Sequence, residues 1–78
     1  MTDYQERLNY FATAKRIDTQ VISQYIDGDF INFYVGKLRG KIVGGKDTYK
    51  FKEKADAISN ARNFRQSCID ELKEVQSD

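Results

Sequence analysis

The chain has 78 residues, 40% hydrophobic and 13% aromatic, with a formal net charge of +1. That length makes one domain with a single core, of modest stability near about 4–8 kcal/mol, and leaves no room for a second. One cysteine, Cys68, and no histidine exclude an internal disulfide, a tetrahedral zinc site and any Ser/His or Cys/His nucleophile pair.

Thr2 and Gln5 have the spacing of a capping box and predict a helix that opens at Thr2. Tyr4, Leu8, Phe11 and Ala12 fall on one face of it, and the pattern carries the helix to about Lys15. From Thr19 to Val43 the pattern becomes extended. Asp27-Gly28 suits the two central positions of a type I′ turn, both of which need positive φ. A two-residue loop there pairs Ile26 with Asp29, Gln24 with Ile31, Ile22 with Phe33 and Val21 with Tyr34. Ile22, Ile26, Ile31, Phe33 and Val35 then share one face, which reads as core, while Val21, Tyr25, Phe30 and Tyr34 share the other. Two helices and two apolar faces suggest that one helix lies across each side of the sheet.

Arg39-Gly40 predicts a second tight turn and Lys41-Ile42-Val43 a third strand, which Gly44-Gly45 interrupts. Thr48 to Phe51 resumes extended structure. A last helix begins near Lys52, with Ala57, Ala61, Phe64, Cys68, Leu72 and Val75 on its apolar stripe. Some 22 helical residues span roughly 33 Å, so the last turns are expected to overhang the sheet. The predicted fold class is α+β, in the order α-β-β-β-α, with Phe33 and Phe64 as core anchors. Cys68 on that stripe reads as a small hydrophobe.

The stretch from Phe33 to Ala61 resembles the YegP-like small-domain family in its aromatic strand at Phe33, a turn before Gly40-Lys41-Ile42-Val43, its Tyr49 and a helix opening at Ala55. The strand-strand-strand-helix order is also similar to the arm-type DNA-binding domains of phage integrases. The first resemblance implies a fold and no activity.

Catalytic constellations do not form. Gly36-Lys-Leu-Arg-Gly40 and Gly44-Gly45-Lys46 match neither a dinucleotide nor a P-loop pattern, and Asp27 and Asp29 are explained by turn geometry. No cofactor or metal is expected. The charge distribution is more informative. Lys37, Arg39, Lys41, Lys46, Lys50, Lys52 and Lys54 lie against only Asp47 and Glu53, so the centre is basic and the ends acidic. Lys37, Arg39 and Lys41 alternate around the second turn, and a hairpin is expected to project them together, with Lys46, Lys50 and Lys52 nearby. Such a ribbon can engage phosphates or an acidic protein surface, or it can simply protect a sheet edge. Tyr25, Phe30 and Tyr34 form a second candidate surface, for stacking or docking.

Three functions fit this reading. One is a non-catalytic inhibitor of the kind phages and mobile elements use, anti-CRISPR proteins included, docking on a host nucleic-acid-handling complex through the basic hairpin. Another is a direct nucleic-acid-binding accessory protein, although a pI near 7.8 is low for one. The third is a homodimer paired by its C-terminal helices. No leader pattern and no apolar run of roughly 20 residues occur in the sequence, so the expected location is the cytoplasm, with no membrane partner.

Overall fold

The computed structural model describes residues 2–45 and 49–76. The chain runs through α1 (Asp3–Ala12), β1 (Asp18–Ile26), β2 (Asp29–Leu38), β3 (Lys41–Ile42), β4 (Lys50–Phe51) and α2 (Lys54–Gln76), an α+β arrangement with one antiparallel sheet. β1 and β2 are paired along their full lengths, and β3 and β4 both pair with the other side of β2. They lie along the same side of β2, β3 against Lys37 and Leu38 and β4 against Tyr34 and Val35. Lys46, Asp47 and Thr48, within the segment expected to lead into the resumed strand, lie outside the described residues.

Local chemistry sets the boundaries. The Thr2 hydroxyl accepts from the Gln5 amide at 3.1 Å, and the Gln5 side chain accepts from the Thr2 amide at 2.9 Å, completing the capping box. α1 ends at Ala12 rather than near Lys15. The Thr13 amide and hydroxyl both donate to the Asn9 carbonyl, at 3.0 and 2.7 Å, and a β-branched residue that bonds back in this way favours termination. Asp27 and Gly28 take φ of 51° and 87°, and Arg39 and Gly40 take 52° and 79°. Both hairpins therefore turn through positive-φ pairs, which match the twist of the strands they join. The observed β1–β2 register is the one the Asp27-Gly28 turn predicts.

The main core cluster lies on the face opposite Ile22, Ile26, Ile31, Phe33 and Val35, and of that set only Val35 is fully buried, while Ile26 is exposed. Both helices sit on the opposite side of the sheet, and neither crosses that face. A Cβ at Gly36 would lie 2.5 Å from the Ala57 carbonyl oxygen and 2.8 Å from the Ala61 Cβ, so α2 rests directly on β2 at its glycine. Leu38, on the same face by alternation, is fully buried and clusters with Leu8, Phe11, Ala14, Val43, Ala61 and Cys68. The small side chains of Gly36, Ala57 and Ala61 decide the matter, because they let helix and strand backbones approach where Phe33 or Ile31 would hold them apart.

The other expectation that changes concerns α1. It packs chiefly along the second half of α2 instead of across the sheet, and Phe11 meets Phe64 edge to face at 5.3 Å. The last turns of α2 therefore do not overhang unaccompanied. The apolar stripe that would pair α2 between two chains is taken up by α1 and β2 of the same chain. The face expected to be core is closed by long polar side chains. Lys50 reaches from β4 to donate to the Gln24 side-chain Oε1 at 2.8 Å, its Nζ 5.4 Å from the Phe33 ring centre, and Lys37 donates to Gln20 Oε1 at 2.9 Å. Val35, between them on that face, is fully buried.

The molecule measures 53 × 20 × 16 Å. The paired helices occupy one end and the β1–β2 hairpin tip projects at the other.

Candidate functional site

Among the described residues, the basic side chains do not gather on one surface. Lys37 pairs with Ile42 and Lys41 with Leu38, so Lys37 and Lys41 point to opposite faces of the ribbon. Arg39 is tied to the end of α1. Its guanidinium carbon lies 5.0 Å from the Tyr10 ring centre, it donates to the Thr13 hydroxyl at 3.1 Å, and its carbonyl accepts from the Tyr10 hydroxyl at 3.3 Å. Lys41 stands on the same ring at 5.6 Å. These cation–ring contacts fasten the second hairpin to α1. Lys50 is held by Gln24, Phe33 and Tyr49. Lys52 is exposed just before α2, and Lys46 lies outside the described residues. Four of the central cations thus make contacts within the fold on two surfaces, Arg39 and Lys41 at the Tyr10 ring and Lys37 and Lys50 on the Val35 face of the sheet.

The aromatic candidates behave differently. Tyr25 and Phe30 face each other across the first hairpin, with ring centres 5.1 Å apart and planes at 67°. They are 67% and 76% exposed, and Val21, beyond the Ser23–Asn32 pair on the same face, is 51% exposed. Tyr34, on the same face, is half-buried opposite Phe51, so it belongs to the packed part of the sheet. Rings of this size are rarely left in water at the end of a projecting ribbon without a use. Ser23 and Asn32, the next cross-strand pair along, hydrogen-bond at 2.6 Å and give that face a polar step toward the body.

The electrostatics of this arm were readable in the sequence. From Ile17 to Gly36 there is no lysine or arginine, and Asp18, Asp27 and Asp29 are the only charges. The ring-bearing residues thus flank a turn segment that carries two carboxylates, Asp27 and Asp29. Nothing in the alternation marked this, because the strand pattern reports faces and not which part of a face a helix covers.

Between the helices, burial and the nearby Glu71 carboxylate push the Cys68 thiol above its ordinary pKa, with Arg7 opposing them. A thiol held protonated and buried is a poor nucleophile. Tyr4 closes this seam from α1. Its hydrogen bond to Glu71, with desolvation and the Glu71 charge behind it, raises the phenol above its ordinary value. Among the described residues, no group of three or more His, Cys, Asp or Glu side chains is placed to hold a metal ion, and no helix is long and apolar enough to cross a membrane. No protein-family model matches the chain, nor does a curated protein or a solved structure.

Proposed function

We propose that this chain is a non-catalytic binding protein that docks on another protein through the distal half of the β1–β2 hairpin. The carrying observation is the exposed Tyr25–Phe30 pair on an arm whose only charges are carboxylates. Two rings offer large contact area at low entropic cost, and such residues concentrate binding energy at interfaces. The flanking Asp27 and Asp29 select a partner with a basic rim. Proteins that handle nucleic acids present such rims around their substrate channels, which supports an inhibitor of the phage or mobile-element type that occupies a nucleic-acid-handling complex. On this reading the contact is made by the acidic, aromatic arm, and Lys37, Arg39 and Lys41 serve the fold.

The test compares wild type with Tyr25→Ala/Phe30→Ala and with Lys37→Glu/Arg39→Glu/Lys41→Glu. Each is used as bait in lysate with and without nuclease, and each is titrated with labelled single- and double-stranded oligonucleotides. The expected result is a nuclease-resistant protein target retained by wild type and by the folded triple reversal but lost from the ring variant, with weak oligonucleotide binding throughout. Tight oligonucleotide binding that falls by about one log unit per log of salt for each phosphate contacted, and that vanishes in the triple reversal, would overturn the reading in favour of direct nucleic-acid binding.

A further inference from the structure

β1 forms one edge of the sheet. All of Asp18–Ile26 pairs with β2 on one side, and no other strand lies on the outer side among the described residues. Edge strands in soluble proteins are usually short or blocked by lysine, proline or a bulge. β1 has nine residues, a continuous register, and no lysine, arginine, glutamate or proline.

The hairpin fixes which backbone groups face outward. In a two-residue loop the flanking pair, here Ile26 and Asp29, exchanges hydrogen bonds, and every second pair along the ladder does the same. Ile26, Gln24, Ile22, Gln20 and Asp18 therefore direct their amides and carbonyls to β2. Thr19, Val21, Ser23 and Tyr25 direct theirs to the open edge. One antiparallel register with a second copy satisfies all four at once, setting Thr19 opposite Tyr25 and Val21 opposite Ser23, with Ile22 meeting Ile22 on the two-fold axis.

Side chains and charges agree with that register. On one face Thr19 meets Tyr25 and Val21 meets Ser23. On the other, Gln20 meets Gln24 and Ile22 meets its copy. No like charges stand opposite each other. Lys15 and Arg16 precede β1, and Asp27 and Asp29 follow it. An antiparallel pairing brings the acidic turn of each copy to the basic entry of the other, and a parallel one would set like against like. Arg16 has the reach for this, since its side chain is 86% exposed although it touches Asp18 at 3.6 Å. A two-stranded ribbon on its own is only marginally stable, and this pairing would make the two arms the centre of one continuous sheet.

The geometry points to a symmetric homodimer joined edge to edge through β1. The contact is isologous and closes on itself. It shares Tyr25 with the docking reading, since that residue lies on the edge strand opposite Thr19 of the second copy, whereas the Phe30 ring is on β2, one strand in from the shared edge.

Sedimentation equilibrium from micromolar to millimolar concentration tests it. Wild type should approach twice the chain mass. Val21→Lys, at an exposed position, should leave the fold intact and raise the dissociation constant about tenfold or more. Ser23→Pro should give a monomer, because it removes an outward amide and no backbone bond to β2, the one loss there being the Ser23 hydroxyl's bond to Asn32. Lys15→Glu/Arg16→Glu should weaken association and adding Asp29→Lys should recover it, which decides the question even if the proline variant fails to fold. Phe30→Ala should leave the mass unchanged while losing partner capture. A wild type monomeric at every concentration, or a dimer indifferent to Val21→Lys and to the charge reversals, would overturn the proposal.

Discussion

The two halves of the β1–β2 hairpin share one register, one twist and one alternation of faces, and yet they have opposite fates. Toward the body, Gly36 and Leu38 lie beneath α2 and vanish from solvent. Toward the tip, Val21, Tyr25 and Phe30 continue the same face into water. The strand pattern is equally apolar in both halves. What differs is the surface offered to a helix. Near the body the face carries a glycine and a leucine, which admit Ala57 and Ala61 at backbone distance. Near the tip it carries rings, which hold any helix off. Stability and binding are thereby assigned to different ends of a single pair of strands.

The largest effects should come from the body half. Leu38→Ala, fully buried among Phe11, Ala61 and Val43, should cost about 2–5 kcal/mol and approach the whole stability of the domain. A cooperative chemical unfolding curve displaced by under about 1 kcal/mol would break the comparison at its root. Gly36→Ala should cost about 1–3 kcal/mol, because the new methyl meets the Ala57 carbonyl, which is backbone and cannot swing aside. Phe33→Ala sharpens the contrast between faces. As a half-buried ring under Lys50 and not under a helix, it should cost about 1–2 kcal/mol, less than the 3–5 kcal/mol of a fully enclosed aromatic.

The helix seam should register in pH. Cys68 and Tyr4 have folded pKa values above their ordinary 9.0 and 10.0. The stability they contribute is thus complete below those ordinary values and is lost as pH rises through the raised ones. Thermal melts should be flat with respect to these groups through neutral pH and fall in the alkaline range, and Cys68→Ala with Tyr4→Phe should flatten that fall. The smallest effect belongs to the tip. Phe30→Ala should move stability by no more than about 0.5 kcal/mol, with partner binding lost. A destabilisation as large as that of Leu38→Ala would show that the tip is part of the core after all.

Much of this was legible in the residues. Thr2 and Gln5 specified the start of α1, Asp27-Gly28 and Arg39-Gly40 specified two turns, and the first of these specified every pair between β1 and β2. The long stripe from Ala57 to Val75 marked α2. The aromatic trio was legible only in part, since Tyr25 and Phe30 are free and Tyr34 is taken into the sheet. The expectation that the second hairpin projects Lys37, Arg39 and Lys41 together gives way, because Lys37 and Lys41 fall on opposite faces once a two-residue turn stands between them. The acidic character of the arm lay in plain view but looked incidental while the cations seemed to converge.

The sequence by itself determined what is local: caps, turns, register and the identity of the two faces. Each follows from a few neighbouring residues whose backbone preferences and hydrogen bonds suffice to set the chain's path. The tertiary structure alone decided which face is core, where α1 rests and how far along the hairpin the cover extends. Both faces of β1–β2 carry enough apolar surface to be buried, so hydrophobicity could not choose between them. Shape chose, through the close seat that Gly36, Ala57 and Ala61 form between strand and helix. That fit exists only when residues some twenty positions apart meet, and it left Tyr25 and Phe30 beyond the reach of α2.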